Sequence, residues 1–248
     1  MTSLLASEFR RFHSRRLVVL LTGLSLLGIA VTGLIVSTAH EFALEGLPEV
    51  LMGTSVILIS IGWVLGASAI GADWHTGHMT TILTWEPRRG RVMAAKTLAS
   101  LLSVFALTFV LQALLGAALS VAAEVRGSTA GADAAWLAET AGVGFRVSLL
   151  SAVFAGFGFA LASIGRNSAV ALGVGFGYLV IVENLVRGLR PRWMPWLLTE
   201  NSALFIIDLP GDFPLLGRTT VEAGVYLCAV TAGLLLAATA VFRVRDVN

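Results

Sequence analysis

Asp73, His75 and His78 fall within six residues of one another, and a carboxylate beside two imidazoles invites a metal ion. Their gaps of one and two residues match no strong ligand spacing, so no metal site is predicted here. A second candidate is residues 90–97, GRVMAAKT, which differs from the phosphate-cradling pattern GxxxxGK[ST] only at Ala95. In a true phosphate loop that glycine lets backbone N–H groups wrap the phosphates, and a strand comes before it. Neither condition is met. Lys96 is the only lysine in the chain, so the pattern has no second place to occur. Inside long apolar runs lie Gln112, Glu183 and Asn184, and an acidic residue at membrane depth is by default a functional candidate. Glu183 also stands four residues before Arg187, on the same face of a helix, where the two would pair. Both readings of Glu183 stand. The one cysteine, Cys228, excludes a disulfide framework. This is thin material for catalysis, and the chain is expected to be neither an enzyme nor the holder of its own cofactor.

The elements that carry these residues follow from composition. Hydrophobic residues make up 56% of the 248 and charged residues only 13%, against about 25% charged in a soluble domain. A soluble fold of this size has no room to hide so much apolar surface. The uncharged runs are 17–39, 50–72, 97–123, 147–165, 167–182 and 223–242, and crossing a core of about 30 Å takes about 20 apolar residues. The sequence therefore predicts an all-α integral membrane domain with six spans, 17–39, 50–72, 97–123, 141–165, 167–186 and 223–242. The first run is too long for the apolar region of a signal peptide, so it is read as a span. Before it, Leu5, Phe9 and Phe12 recur at helical spacing among Arg10, Arg11, Arg15 and Arg16, which predicts an amphipathic surface helix over 1–16. Gly62 and Gly66, four apart, would let the second span approach a neighbour closely.

Six spans put both ends of the chain on one side, together with the loop 73–96. That side holds 11 basic and four acidic residues, and the other holds six basic and 11 acidic. The positive-inside bias places both termini in the cytoplasm, and the net charge of +2 reflects topology rather than nucleic-acid binding. The first outer loop, with His40, Glu41, Glu45, Pro48 and Glu49, is read as a solvated connection. Within 73–96, residues 76–83 predict a short helix, Pro87 ends it, and Arg88, Arg89 and Arg91 open the next. The outer segment 187–222 carries Pro191, Pro195, Pro210 and Pro214 beside Trp193 and Trp196. Its apolar pieces are too short to cross, which fits short interfacial or re-entrant helices.

This layout resembles the membrane subunit of type 2 ABC exporters, the permeases of small drug, antibiotic-immunity and ion exporters. In that family a surface helix precedes six spans, and a cytoplasmic loop after the second span carries an acidic residue, a glycine, a proline, a basic pair and a lysine. Asp73, Gly77, Pro87, Arg88, Arg89 and Lys96 match that order. Asp73 stands where the family usually has glutamate, and His78 where it has threonine or serine. The resemblance implies a dimer, with a second copy or a paralogue, working with two copies of a separate ATPase that binds ATP and Mg. It implies an ATPase-coupling role for Asp73, Trp74, His75, Gly77, Pro87, Arg88, Arg89 and Arg91. The surface helix would help through Phe9, Arg10, Phe12 and Arg15, and Gln112, Glu183 and Asn184 would lie along the substrate pathway. The implied location is a bacterial plasma membrane, and the implied cargo is a lipophilic or amphipathic drug, peptide antibiotic or lipid. A stand-alone transporter or channel built around Glu183 is the alternative.

Overall fold

A computed structural model describes residues 2–38, 42–208 and 215–244, with the side chain of Thr2 excepted. His40, Glu41, Pro210, Pro214, Arg245 and Asp246 lie outside the described residues. The rest is all-helical apart from one isolated bridge between Ala43 and Ser128. Helix α1 (Thr2–His13) is followed by α2 (Arg16–Thr38), α3 (Leu47–Gly53), α4 (Ser55–His75), α5 (His78–Trp85) and α6 (Arg89–Arg126). Then come α7 (Ala134–Gly165), α8 (Ser168–Gly177), α9 (Glu183–Leu189), α10 (Leu198–Ile207) and α11 (Thr220–Val244). A π-helical turn, Tyr178–Val182, joins α8 to α9 in one rod. Six helical stretches are long and apolar enough to cross a membrane: Arg16–Thr38, Leu44–His75, Arg89–Arg126, Ala134–Gly165, Ser168–Leu189 and Thr220–Val244.

Several helices run past the boundaries that the uncharged runs set. The second span begins at Leu44, in a short 3-10 turn, and is broken once at Thr54. Leu47 and Pro48 are buried there, so half of the expected solvated connection belongs to the span. Helix α6 begins eight residues before its apolar run, carrying Arg89, Arg91 and Lys96 as helical residues. At about 1.5 Å per residue its 38 residues measure about 57 Å, well beyond a bilayer core of about 30 Å. Charge marks where lipid begins, whereas helix continues wherever backbone hydrogen bonds do.

Helix α7 is the hub. It packs on α4, α6, α8 and α11, and its glycines and alanines let those neighbours close in. A Cβ on Gly62 or Gly66 would run into the backbone carbonyls of Ser151 and Ala155 on α7. A Cβ on Gly158 would in turn strike the Trp63 carbonyl on α4. The spacing of Gly62 and Gly66 is thus used within one chain, to bring the second and fourth spans into backbone contact. Helix α2 packs mainly along α6 and leaves most of its apolar surface outward.

The ends of the helices define two faces. On one, called here the terminal face, α1, α5, the start of α6, the turn between α7 and α8 and the end of α11 come together. On the other, Ser128 N donates to the Phe42 carbonyl, Leu44 N to the Ser128 carbonyl, and the Trp136 indole to the Leu44 carbonyl. The latter bonds pin the start of the second span to the loop between α6 and α7.

Candidate functional site

Asp73 occupies the last turn of α4, and helix geometry aims it at α1 and α6. Its Oδ2 accepts from Lys96 Nζ at 2.6 Å, and its Oδ1 from Arg11 at 2.7 Å and Arg15 at 3.0 Å. Lys96 also donates to both carboxylate oxygens of Glu8, each at 3.0 Å. The side chains of Asp73 and Lys96 are each only 2% exposed. Two carboxylates and three cations thus share one site, from three separate stretches of chain. Burying such charges is costly unless their polar atoms find partners; Asp73 accepts three bonds and Lys96 donates three, while Nη1 of Arg11 is buried with no partner among the described residues. Arg15 donates further to the carbonyls of Ser68 and Ala69, at 2.7 and 2.8 Å, fastening the junction of α1 and α2 to α4. On α1, Glu8 and Phe12 are buried and Arg11 reaches Asp73, while Phe9 is half-buried and Arg10 exposed.

Around the cluster the chain turns on Gly77, whose φ of 67° puts it in the left-handed region that favours glycine. That turn sends α5 back across the terminal face. His75, Gly77, Pro87 and Arg88 are exposed there, and Trp85 is 86% exposed. His78 is half-buried; burial lowers its pKa below the usual imidazole value, and the Arg11 guanidinium lowers it further. Trp74 lies inward, edge-on to Phe242 of α11, with the Arg166 guanidinium 4.8 Å over its ring. Arg91 pairs with Glu86 at 3.3 Å across the Pro87 break. Arg89 donates to the carbonyls of Phe242 and Arg243, at 3.2 and 3.3 Å, and so binds the end of the last span to the start of the third. Of the residues to which the resemblance gives a coupling role, Asp73 is buried and Trp74 lies inward, whereas His75, Gly77, Pro87 and Arg88 are exposed. No three His, Cys, Asp or Glu side chains gather as a metal would need among the described residues.

Gln112, Glu183 and Asn184 are not brought to one place. Gln112 is buried on α6, donating at 3.3 Å to both the Leu51 carbonyl and the Thr54 hydroxyl, at the break between α3 and α4. It lines an apolar cavity of about 510 Å³ with Leu24, Gly28, Val31, Ile57 and Ile61. Glu183 is fully buried, yet Arg187 is not its partner. Glu183 accepts from Leu198 N at 2.7 Å, from Thr199 N at 3.1 Å and from the Thr199 hydroxyl. It therefore caps the first turn of α10, satisfying donors that the helix itself leaves open. Arg187 instead pairs with Glu200 at 2.7 Å and donates to Asn184 and Thr199. Reading Arg187 as the i+4 partner failed because a partner fifteen residues away, across two prolines, was nearer in space.

Glu8 and Lys96, together with Arg11, are the members of the cluster that the sequence left without a role. Their signals were present: one acid on an otherwise basic helix, four residues before Phe12, and the sole lysine placed just before an apolar run. The fold defines an all-helical, multi-pass membrane protein. No known protein family matches the chain, and no curated protein matches it.

Proposed function

We propose that the chain is the permease subunit of an ATP-driven exporter of the type 2 ABC class, seated in the plasma membrane with both termini cytoplasmic. It works with a second permease copy or a paralogue and with two copies of a separate ATPase, which hold the ATP and Mg. The observation that carries this reading is the ion cluster of Glu8, Asp73 and Lys96. It joins the surface helix α1 to the ends of two spans, directly beneath an exposed elbow. A partner pressing on His75, Trp85, Pro87 and Arg88 would load α4 through Asp73 and α6 through Lys96. Such a push is delivered to two spans together because Asp73 and Lys96 are buried and paired with each other, and so resist local yielding. The glycine-lined contact of α4 with the hub α7 would carry it onward. The apolar cavity beside Gln112 suits a lipophilic or amphipathic cargo, since its wall offers one amide and the hydroxyls of Ser25, Thr32 and Thr54 among otherwise apolar residues.

The test is a mild-detergent pull-down of the tagged chain from its native membrane, with mass spectrometry of what it retains. A stoichiometric protein bearing a phosphate loop is the expected result. In the reconstituted complex, Arg88→Glu with Arg89→Glu should lower transport and transport-stimulated ATP hydrolysis about tenfold or more, since reversed charges at an interface repel a complementary partner. Insertion should be retained; because Arg89→Glu also removes the tie to the end of α11, Arg88→Glu alone, at an exposed residue, should lower transport in the same direction. Recovery of a folded chain with no ATPase, or full transport by the double variant, would sink this reading in favour of a stand-alone transporter or channel.

A further inference from the structure

Four arginines converge at the terminal face on a pocket of about 430 Å³ between the start of α6 and the end of α11. Its walls are Pro87, Arg88, Arg89, Gly90, Arg91, Ala94 and Arg243. Glu86 borders them, paired with Arg91 at 3.3 Å. The Arg243 guanidinium lies across the first turn of α6, where a Cβ added to Gly90 would stand 2.5 Å from its Nη2 and shift the end of that side chain. Arg89 fixes the other wall by donating to the carbonyls of Phe242 and Arg243.

The depth of the pocket selects its ligand. Phe242 is the last residue of the uncharged run 223–242, and Arg243 follows directly, so the pocket stands where apolar span gives way to charge. That is headgroup level. Trp85, one residue before Glu86, and Val244, one after Arg243, are 86% and 85% exposed. Strongly exposed apolar side chains flanking arginines fit a lipid interface, where rings and aliphatic groups enter the acyl boundary while guanidiniums stay with phosphate. Guanidinium groups match phosphate oxygens in a bidentate way. We infer that the pocket of Arg88, Arg91 and Arg243 over Gly90 binds the phosphodiester headgroup of an anionic phospholipid. The site shares Arg88 with the surface proposed to meet the ATPase, whereas Arg243 belongs to the lipid site alone. Its lipid would sit against the junction of α6 and α11, and so would hold the third and sixth spans at a fixed depth.

The full chain, reconstituted with equimolar phosphatidylglycerol and phosphatidylcholine, would be analysed by native mass spectrometry for retained lipid. The two lipids share the phosphate, and choline cancels the net charge of one. Preferential retention of phosphatidylglycerol is expected. Arg88→Gln and Arg243→Gln should each reduce that preference about fivefold, the effect of one basic residue at an anionic surface. Gly90→Ala keeps every guanidinium and shifts only the flexible end of Arg243, and should reduce the preference by less than either charge change. Equal retention of the two lipids by the parent chain, or an unchanged preference in all three variants, would overturn the proposal. Displacement of the lipid by millimolar inorganic phosphate would assign the pocket to a soluble anion, and displacement by oligoglutamate to an acidic protein. Either result would overturn the lipid assignment too.

Discussion

Lys96 has two carboxylates to satisfy and almost no water to share them with. Replacing it with methionine keeps its length and apolar stem but leaves Asp73 with only its two arginines and Glu8 with no described partner. Removing one member of a buried ionic group costs about 3–5 kcal/mol, because the remaining charge stays desolvated. Lys96→Met should therefore lower the unfolding midpoint in detergent steeply, whereas Arg10→Gln, exposed on the far side of α1, should leave it nearly unchanged. Equal midpoints for the two variants would show that the cluster is not a structural fastening. At this scale the sequence was only partly legible. Asp73 stood out as an acid at a span end, and the lone Lys96 stood out by its rarity. That they meet 23 positions apart along the chain, with Glu8 a further 65 away, follows from how α4 and α6 lie side by side, which spacing does not encode.

Helix α4 crosses α7 on glycine and alanine, and the contact is backbone against backbone at Gly62, Gly66 and Gly158. Here a single methyl group is expected to matter. Gly66→Ala must push the two helices apart at the Ala155 carbonyl, and overpacking of this kind costs about 2–3 kcal/mol. Gly173→Ala is the control, since a Cβ there meets nothing within 4 Å. Detergent denaturation of both variants should show a large shift for the first and little for the second. Similar behaviour would mean that the crossing tolerates separation. The four-residue spacing of Gly62 and Gly66 was visible in the sequence, but 26 glycines make such spacings common. What selects this one is the partner surface, Ser151 and Ala155, on a helix 85 or more residues further on. Glu183 makes the same point in another way. Its place near the end of a span was legible, while its task as the cap of α10 depended on the fold of the proline-rich segment between them.

For the molecule as a whole, charge and hydropathy make a prediction that geometry alone does not. With Cys228 replaced by serine, an impermeant maleimide applied to intact cells should label Thr129→Cys and Arg190→Cys. It should reach Ser3→Cys and Thr76→Cys only after permeabilisation. All four sites are exposed, so accessibility reports the side of the membrane, and the excess of basic residues with the termini sets the expected sign. The reverse pattern would remove both the cytoplasmic placement and the exporter reading that rests on it. That six stretches are long and apolar enough to cross a membrane, about where each is centred, and that α1, the loop 73–96 and the end of α11 share one face, were legible in the sequence itself. Each is a one-dimensional property: a run of uncharged residues must be about as long as the bilayer is thick, and successive crossings alternate sides. Only the tertiary structure decided that α7 is the hub, that Asp73, Lys96 and Glu8 form one site, that Gln112 and Glu183 do not, and that Arg243 lies across Gly90. Those are relations between helices, fixed by which small residues let backbones approach and by which charges must be paired once water is excluded. Neither condition can be evaluated until the neighbours are known.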